Sequence, residues 1–259
     1  MHPSIGFLFG LRSWRARLCY LLTRATARTP IPVAWKARLR SGVSGPYHDG
    51  PLAAELRPGT LDGWIFHPLY ERGTRDWIRA NIGGRSGVMI DVGAHCGSFS
   101  LRHRRHFEQV IALEPNPADF AALTRNLELS GAHEVTPVNL AASERPGKVS
   151  LYLGTPGTHS LIAIEGGRRV EVEATTLDAL LEAHGVRPAE VRLVKVDVEG
   201  AEVSVLQGSR RLLQDGAPAI VAEANSQEHA SALDRFLQPF GFRQAARVDG
   251  RNLVFLKQA

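Results

Sequence analysis

Cysteine is nearly absent: Cys19 and Cys96 are the only two in 259 residues. That excludes a disulfide framework and a cysteine-based zinc site, and it favours a reducing, cytoplasmic setting. Acidic residues are missing from positions 1 to 48, which carry eight Lys or Arg, whereas the remainder holds 23 basic and 26 acidic residues. The formal charge of +5 therefore belongs to the N-terminal arm and not to the body. Long apolar runs are missing too. Arginines interrupt every window of the ~20 residues that a membrane-spanning helix needs, and no uninterrupted apolar segment follows the first basic residues as in a cleaved signal peptide. Neither a Gly-x-Ser-x-Gly elbow nor a phosphate loop occurs, which sets aside serine hydrolases and nucleoside triphosphatases. There is no internal repeat or low-complexity tract.

What is present is ordinary for a soluble globular chain, 44% apolar and 22% charged, and long enough to bury a substantial core. In the arm, IGFLFGLRSWRARLCYLL mixes apolar residues with Arg12, Arg15 and Arg17. It reads either as an amphipathic helix in peripheral contact with an anionic membrane or as a helix that caps the domain with its apolar side. Residues 42–63, GVSGPYHDGPLAAELRPGTLDG, are rich in Gly and Pro and read as a linker or irregular lid. The expected division is an arm and linker over 1–63 and one domain over 64–259.

From Val88 onward, short apolar runs (VMIDV, VIALE, EVTPVNL, VRLVKVDV, APAIVAEA) alternate with helical patterns, the signature of βαβ units and a doubly wound, mostly parallel α/β sheet. Two alternating segments, GKVSLYLG and RRVEVEA, interrupt this order as a hairpin or flap beside the expected ligand face. The last two runs flank Asp249-Gly250, a dipeptide suited to a type I′ turn, so they form an antiparallel hairpin.

The stretch MIDVGAHCGSFSL puts Asp91, Gly93 and Gly97 between the first strand and the first helix, where glycines let the backbone approach a ligand. The second strand ends at Glu114, 21 residues beyond Gly93, where a carboxylate can accept both ribose hydroxyls. Nicotinamide dinucleotides and S-adenosylmethionine share that geometry. Dinucleotide binding wants G-x-G-x-x-G, and here Asp91 occupies the first of those positions. A carboxylate repels a pyrophosphate and attracts an ammonium or sulfonium, so S-adenosylmethionine is favoured.

At this point the motifs DVGAHCGSFSL, ALEPNP, NLAASERPGKVSLYL, TLDALL, VKVDVEGAEVSVLQG and IVAEAN, in this order over residues 88 to 225, resemble the FkbM-type methyltransferases. The closing hairpin agrees with the seven-stranded, Rossmann-like sheet of the class I methyltransferases. The resemblance implies S-adenosylmethionine-dependent methyl transfer, typically to a hydroxyl on a sugar, glycolipid or secondary metabolite. It implies Asp91, Gly93 and Gly97 at the methionine and ribose end and Glu114 on the ribose diol. Asn116, Leu140 and Ala141 would then flank the adenine. Ser160 in GTHSL reads as a turn serine, with a pocket-facing role as the alternative.

The run KVDVEGAE ends a buried strand in charge. Alternation puts Lys195, Asp197 and Glu199 on the face opposite Val194, Val196 and Val198, at the carboxyl end where ligands bind in such sheets. Asp197 or Glu199 is expected to orient or deprotonate an acceptor hydroxyl, with Lys195 holding the cluster or contacting the substrate. Glu202 falls in the first turn of the next helix and serves that helix. A second arrangement would have Asp197 and Glu223, with Asn225, bind a divalent cation, although no metal is the primary expectation. His103 and His106, flanked by arginines, read as a solvated helix face. Rival functions are a nicotinamide oxidoreductase and a non-catalytic cofactor-fold module. Nucleic-acid binding is not expected, because the body carries no basic surface.

Overall fold

The computed structural model describes residues 8–12, 14–26, 43–82, 84–154, 159–162, 168–216 and 218–258. Helix α1 (Trp14–Thr26) precedes a hairpin of β1 (Gly45–Asp49) and β2 (Leu52–Leu56), then α2 (Asp62–Ile65) and α3 (Arg72–Asn81). The central sheet begins with β3 (Val88–Val92), α4 (Ser98–His103), β4 (Gln109–Leu113), α5 (Pro117–Leu129) and β5 (Val135–Val138). Strands β6 (Ala141–Ala142), β7 (Gly147–Leu153) and β8 (Arg168–Thr175) follow, then α6 (Leu177–Ala183), β9 (Val191–Val196), α7 (Glu202–Gln207), α8 (Arg210–Asp215) and β10 (Ala219–Glu223). Helix α9 (Gln227–Leu237) leads to β11 (Phe242–Val248) and β12 (Asn252–Lys257).

The seven-stranded sheet runs β11-β12-β10-β9-β3-β4-β5, with β12 alone antiparallel to its neighbours. Its inner strands are predominantly apolar because both faces are covered, with buried charged exceptions such as Asp91 in β3 and Lys195 in β9. Met89, Leu193, Val221 and Val254 join one core layer, and Ile90, Val92, Val194, Val196 and Ile220 join the other. The chain winds one way from β3 through β4 to β5 and the other way from β9 to β10. The crevice where such a sheet takes a ligand therefore opens at the carboxyl ends of β3 and β9. At the closing turn Asp249 (φ 51°) and Gly250 (φ 79°) both adopt the left-handed backbone that a type I′ hairpin requires.

Local chemistry sets the helix limits. Asn116 caps α5 by accepting from the N–H groups of Ala118 (2.9 Å) and Asp119 (3.3 Å), with Pro117 in the first position. The helical pattern over 201–213 splits into α7 and α8 at Gly208, which packs so closely on the Ser143 carbonyl that a Cβ would lie 2.2 Å from its oxygen. The flap is the antiparallel pair β7 and β8, with β6 added beside β8 in a separate three-stranded sheet.

Residues 42–63 depart from the expected linker. Asp49-Gly50 acts as a turn between two paired strands, and Tyr47, Leu52 and Leu56 are buried in the core. β2 is clipped to α5, where Ala53 N–H donates to Ser130 Oγ (2.9 Å) and Glu55 N–H to Asn126 Oδ1 (2.8 Å). Glycine and proline punctuate a hairpin there instead of loosening the chain. Helix α1 rests on the body through Ala16 and Tyr20, with the Tyr20 hydroxyl 2.9 Å from His67 Nε2. No helix among the described residues is long and apolar enough to cross a membrane.

Candidate active site

One cavity lies at the carboxyl ends of the central strands, and it contains both predicted halves of the site. Gly93, Glu114, Leu140 and Ala141 line one side, and Lys195, Asp197 and Glu199 line the other. Gly93 (φ 80°) is where the two halves meet: a Cβ at this position would lie 1.9 Å from the Asp197 carbonyl oxygen. Only glycine permits that approach.

Glu114, at the end of β4, accepts from the N–H groups of His95 (Oε2, 2.8 Å) and Asn116 (Oε1, 2.8 Å). Burial pushes its carboxyl up to about 7 against those two donors. Ribose hydroxyls donate to the ionised form, so S-adenosylmethionine affinity is expected to rise roughly tenfold per pH unit towards pH 7 and to level off above it. Calorimetry across that range checks this, and Glu114→Gln should flatten the slope. A pH-independent affinity in the wild type would show that ionised Glu114 does not hold the ribose. For folding the sign is opposite. A folded-state value raised above the ordinary 4.5 favours the cofactor-free fold below pH 4.5, and that contribution is lost as pH rises through about 7.

Three residues expected beside the cofactor, Asp91, Gly97 and Asn116, do not themselves line the cavity. Asp91 is fully buried, and its Oδ2 accepts from Ser100 Oγ at 2.6 Å while Oδ1 has no hydrogen-bond partner among the described residues. Strand pairing explains this, because Asp91 is still in register with Ala112 and Lys195 on both sides, a step short of the strand end. Burial raises its carboxyl against the nearby Lys195 charge. Gly97 (φ 86°) starts α4 and packs on Leu123, and the Asn116 side chain caps α5 while the preceding Pro115 lines the cavity.

On the other side Lys195 Nζ donates to Asp197 Oδ2 at 2.8 Å and lies 4.9 Å from the centre of the Phe99 ring. Burial would raise the Asp197 carboxyl, but Lys195 holds it below the usual carboxylate range. Burial and the Asp197 charge raise Glu199. Carboxylate oxygens of Asp197, Glu199 and Glu223 lie within 4.8 Å of one another. Burial, with Asp197 adding to it, pushes Glu223 up to about 8 even though Arg251 Nη1 stands 2.6 Å from its Oε1. Lys195 and Arg251 thus supply from the chain itself much of the positive charge this cluster calls for, and the Asn225 amide donates to Glu223 Oε2 (3.3 Å). Glu202, expected to serve its own helix, stands in the first turn of α7 and holds the loop before it: its Oε1 accepts from the N–H groups of Val198 (3.0 Å) and Gly200 (3.3 Å), and His229 Nε2 lies 3.0 Å from Oε2.

Several lining residues were not legible in the sequence. Arg251, just past the closing turn, donates to the Tyr70 hydroxyl at 2.9 Å. The same turn ties down the start of α3, where Asp249 accepts from the N–H groups of Gly73 (2.8 Å) and Thr74 (2.7 Å), and Asn252 reaches Glu71 (3.3 Å). Tyr70, Glu71 and Arg75 are thereby held in the cavity wall. From the flap it is His159, not its neighbour Ser160, that faces the cavity, with Nε2 3.2 Å from Asp119 Oδ2. Ser160 instead donates to the Glu199 carbonyl at 2.8 Å. Glu71, His95 and Glu199 have φ values of 46°, 50° and 54°, and all three line the cavity. Left-handed backbone at non-glycine residues collects where the surroundings over-determine it, as at functional sites. His103 is not on a solvated face. It is 3% exposed and packed on Phe99 with 4.4 Å between ring centres, and burial holds it neutral, well below the usual imidazole range.

A sheet in this order, with one antiparallel strand and this crevice, is that of the class I methyltransferases. The Methyltransferase FkbM domain model matches residues 91–244, and the chain belongs to that family. A hexuronic acid methyltransferase (AglP) of Haloferax volcanii is 32% identical over 148 residues, which cover 55% of this chain and 59% of that protein. "Methyltransferase 1" of Beauveria bassiana is 30% identical over 144 residues, covering 46% and 57% of the two chains. The chain thus spans somewhat under two thirds of the length of these relatives. The fold is shared with a methyltransferase FkbM from Methylobacillus flagellatus at a TM-score of 0.51 and 14% identity, covering 98% of this chain and 58% of that one. The cofactor is S-adenosylmethionine, which sets the nicotinamide alternative aside. The residues fit it: Glu114 retains lone pairs for a ribose diol, Gly93 leaves the approach open, and Leu113, Leu140 and Ala141 form an apolar wall for a flat ring.

Proposed function

We propose that this protein O-methylates a hydroxyl on a sugar. The observation that carries the proposal is the meeting of Asp197, Glu199 and the buried Glu223 within 4.8 Å, the first two lining the cavity that Gly93 and Glu114 also line. S-adenosylmethionine supplies an electrophilic methyl group on a sulfonium, and the chain must then align an oxygen, exclude water and accept a proton. Glu199, whose carboxyl is raised by burial and by the Asp197 charge, accepts that proton. Asp197, kept ionised by Lys195, orients the hydroxyl through a carboxylate lone pair not engaged by Lys195. Trp64 and Tyr70 offer aromatic faces in the same cavity for the apolar side of a sugar ring, and Arg75 and Arg102 offer donors for its substituents. The Haloferax relative, named for a hexuronic acid, supports a carbohydrate acceptor.

The test is transfer of a labelled methyl group from S-adenosylmethionine to a panel of neutral and uronic saccharides, with the product's methyl carbon assigned by NMR. An O-methyl resonance on a sugar is expected. Transfer to nitrogen or carbon, or cofactor binding without transfer to any saccharide, would overturn the proposal.

A further inference from the structure

Helix α1 has two unlike sides. Ala16 and Tyr20, four residues apart, are 1% and 7% exposed and bind it to the body. Trp14, Leu18 and Leu21, at the i, i+4 and i+7 spacing of a single helical stripe, are 69%, 48% and 50% exposed. Phe9, just before the helix, is 62% exposed. Leaving a Trp, a Phe and two leucines in water on one short segment is costly, and such clustering marks an interaction surface.

The charge beside that stripe identifies the partner. Arg12 and Arg15 are exposed, and neither has a carboxylate within ion-pair distance among the described residues. The Arg15 guanidinium lies 5.5 Å from the Trp14 ring centre. Arg17 is used differently, its Nε donating to the Leu11 carbonyl at 2.7 Å. No acidic residue occurs before Asp49. A bulky apolar stripe containing Trp, bordered by arginines and free of acids, complements the boundary between acyl chains and anionic headgroups. We infer that the outward side of α1 docks this protein on an anionic lipid surface. The docking helix is also joined to the cavity: Tyr20 contacts His67, and His67 stacks on Trp64, which lines it (ring centres 6.0 Å apart, interplanar angle 19°).

The full chain is to be sedimented with vesicles of phosphatidylcholine alone and of phosphatidylcholine mixed with phosphatidylglycerol, at low and high salt. Capture by the mixed vesicles only, reduced about tenfold or more by salt, is expected. R12S/R15S should weaken capture by about tenfold or more. W14S/L18S/L21S should abolish it while leaving S-adenosylmethionine binding unchanged, since that stripe touches neither the core nor the cavity. Absence of capture, or equal capture of all variants, overturns the inference. So does a wild-type dimer in solution that the triple variant converts to monomer, which would assign the stripe to a second copy of the chain.

Discussion

Asp197→Asn is expected to lower methyl transfer by about 100-fold or more while changing S-adenosylmethionine affinity by no more than about threefold. Asparagine keeps the shape but replaces one acceptor oxygen by a donor, so the side chain can no longer both face Lys195 Nζ at 2.8 Å and hold an acceptor hydroxyl. The fold should survive because Lys195 retains two further anionic neighbours, Glu71 and Asp91. Turnover with the identified saccharide, beside thermal unfolding and calorimetric affinity, separates these effects. Wild-type turnover would remove Asp197 from the chemistry. Glu199→Gln is expected to lower turnover comparably and, unlike Asp197→Asn, to remove the acidic limb of the pH-rate profile measured at saturating S-adenosylmethionine, because Glu199 is the group read as proton acceptor.

Gly93→Ala is the second large expectation. Its φ of 80° costs an alanine ~1 kcal/mol or more, and the added Cβ would stand 1.9 Å from the Asp197 carbonyl oxygen, a contact that can be relieved only by separating the ends of β3 and β9. The protein should lose about 3 kcal/mol or more of stability, together with at least tenfold in cofactor affinity. Gly84→Ala is the control: its φ is 73°, but nothing lies within 4 Å of the added Cβ, so it carries the backbone strain alone. Denaturant titration of both variants checks the difference. Equal losses would show that the close approach at Gly93 contributes nothing.

The sheet was legible because its inner strands are covered on both faces and so appear as short, mostly apolar runs, broken only by single residues such as Asp91 and Lys195. Asp197 and Glu199 stood out because charge at the end of such a run is costly unless it is used. Asp91 was harder, since a motif gives position along the chain but not depth, and one more residue of strand pairing keeps it behind the wall. The hairpin over 45–56 was hidden by the glycines and prolines that make its turn. His103 was misplaced by its arginine neighbours, which signal solvent along the sequence while its own ring turns inward against Phe99. Glu71 and Arg251 could not have been paired from sequence, being 180 residues apart and joined by a turn whose own signature speaks only of a hairpin.

That closing turn also sets an order of events during synthesis. The cavity residues read as the cofactor side, Gly93, Glu114, Leu140 and Ala141, come from one stretch of fewer than 50 residues and are all synthesised early on a growing chain. The acceptor wall cannot, because Tyr70 and Glu71 wait for Arg251 and Asn252, which leave the ribosome 181 residues later. The residues read as the donor side are thus all made by Ala141 and gain their β9 neighbour by Asp197, whereas the wall read as the acceptor side is completed only by the last ten residues of the sequence.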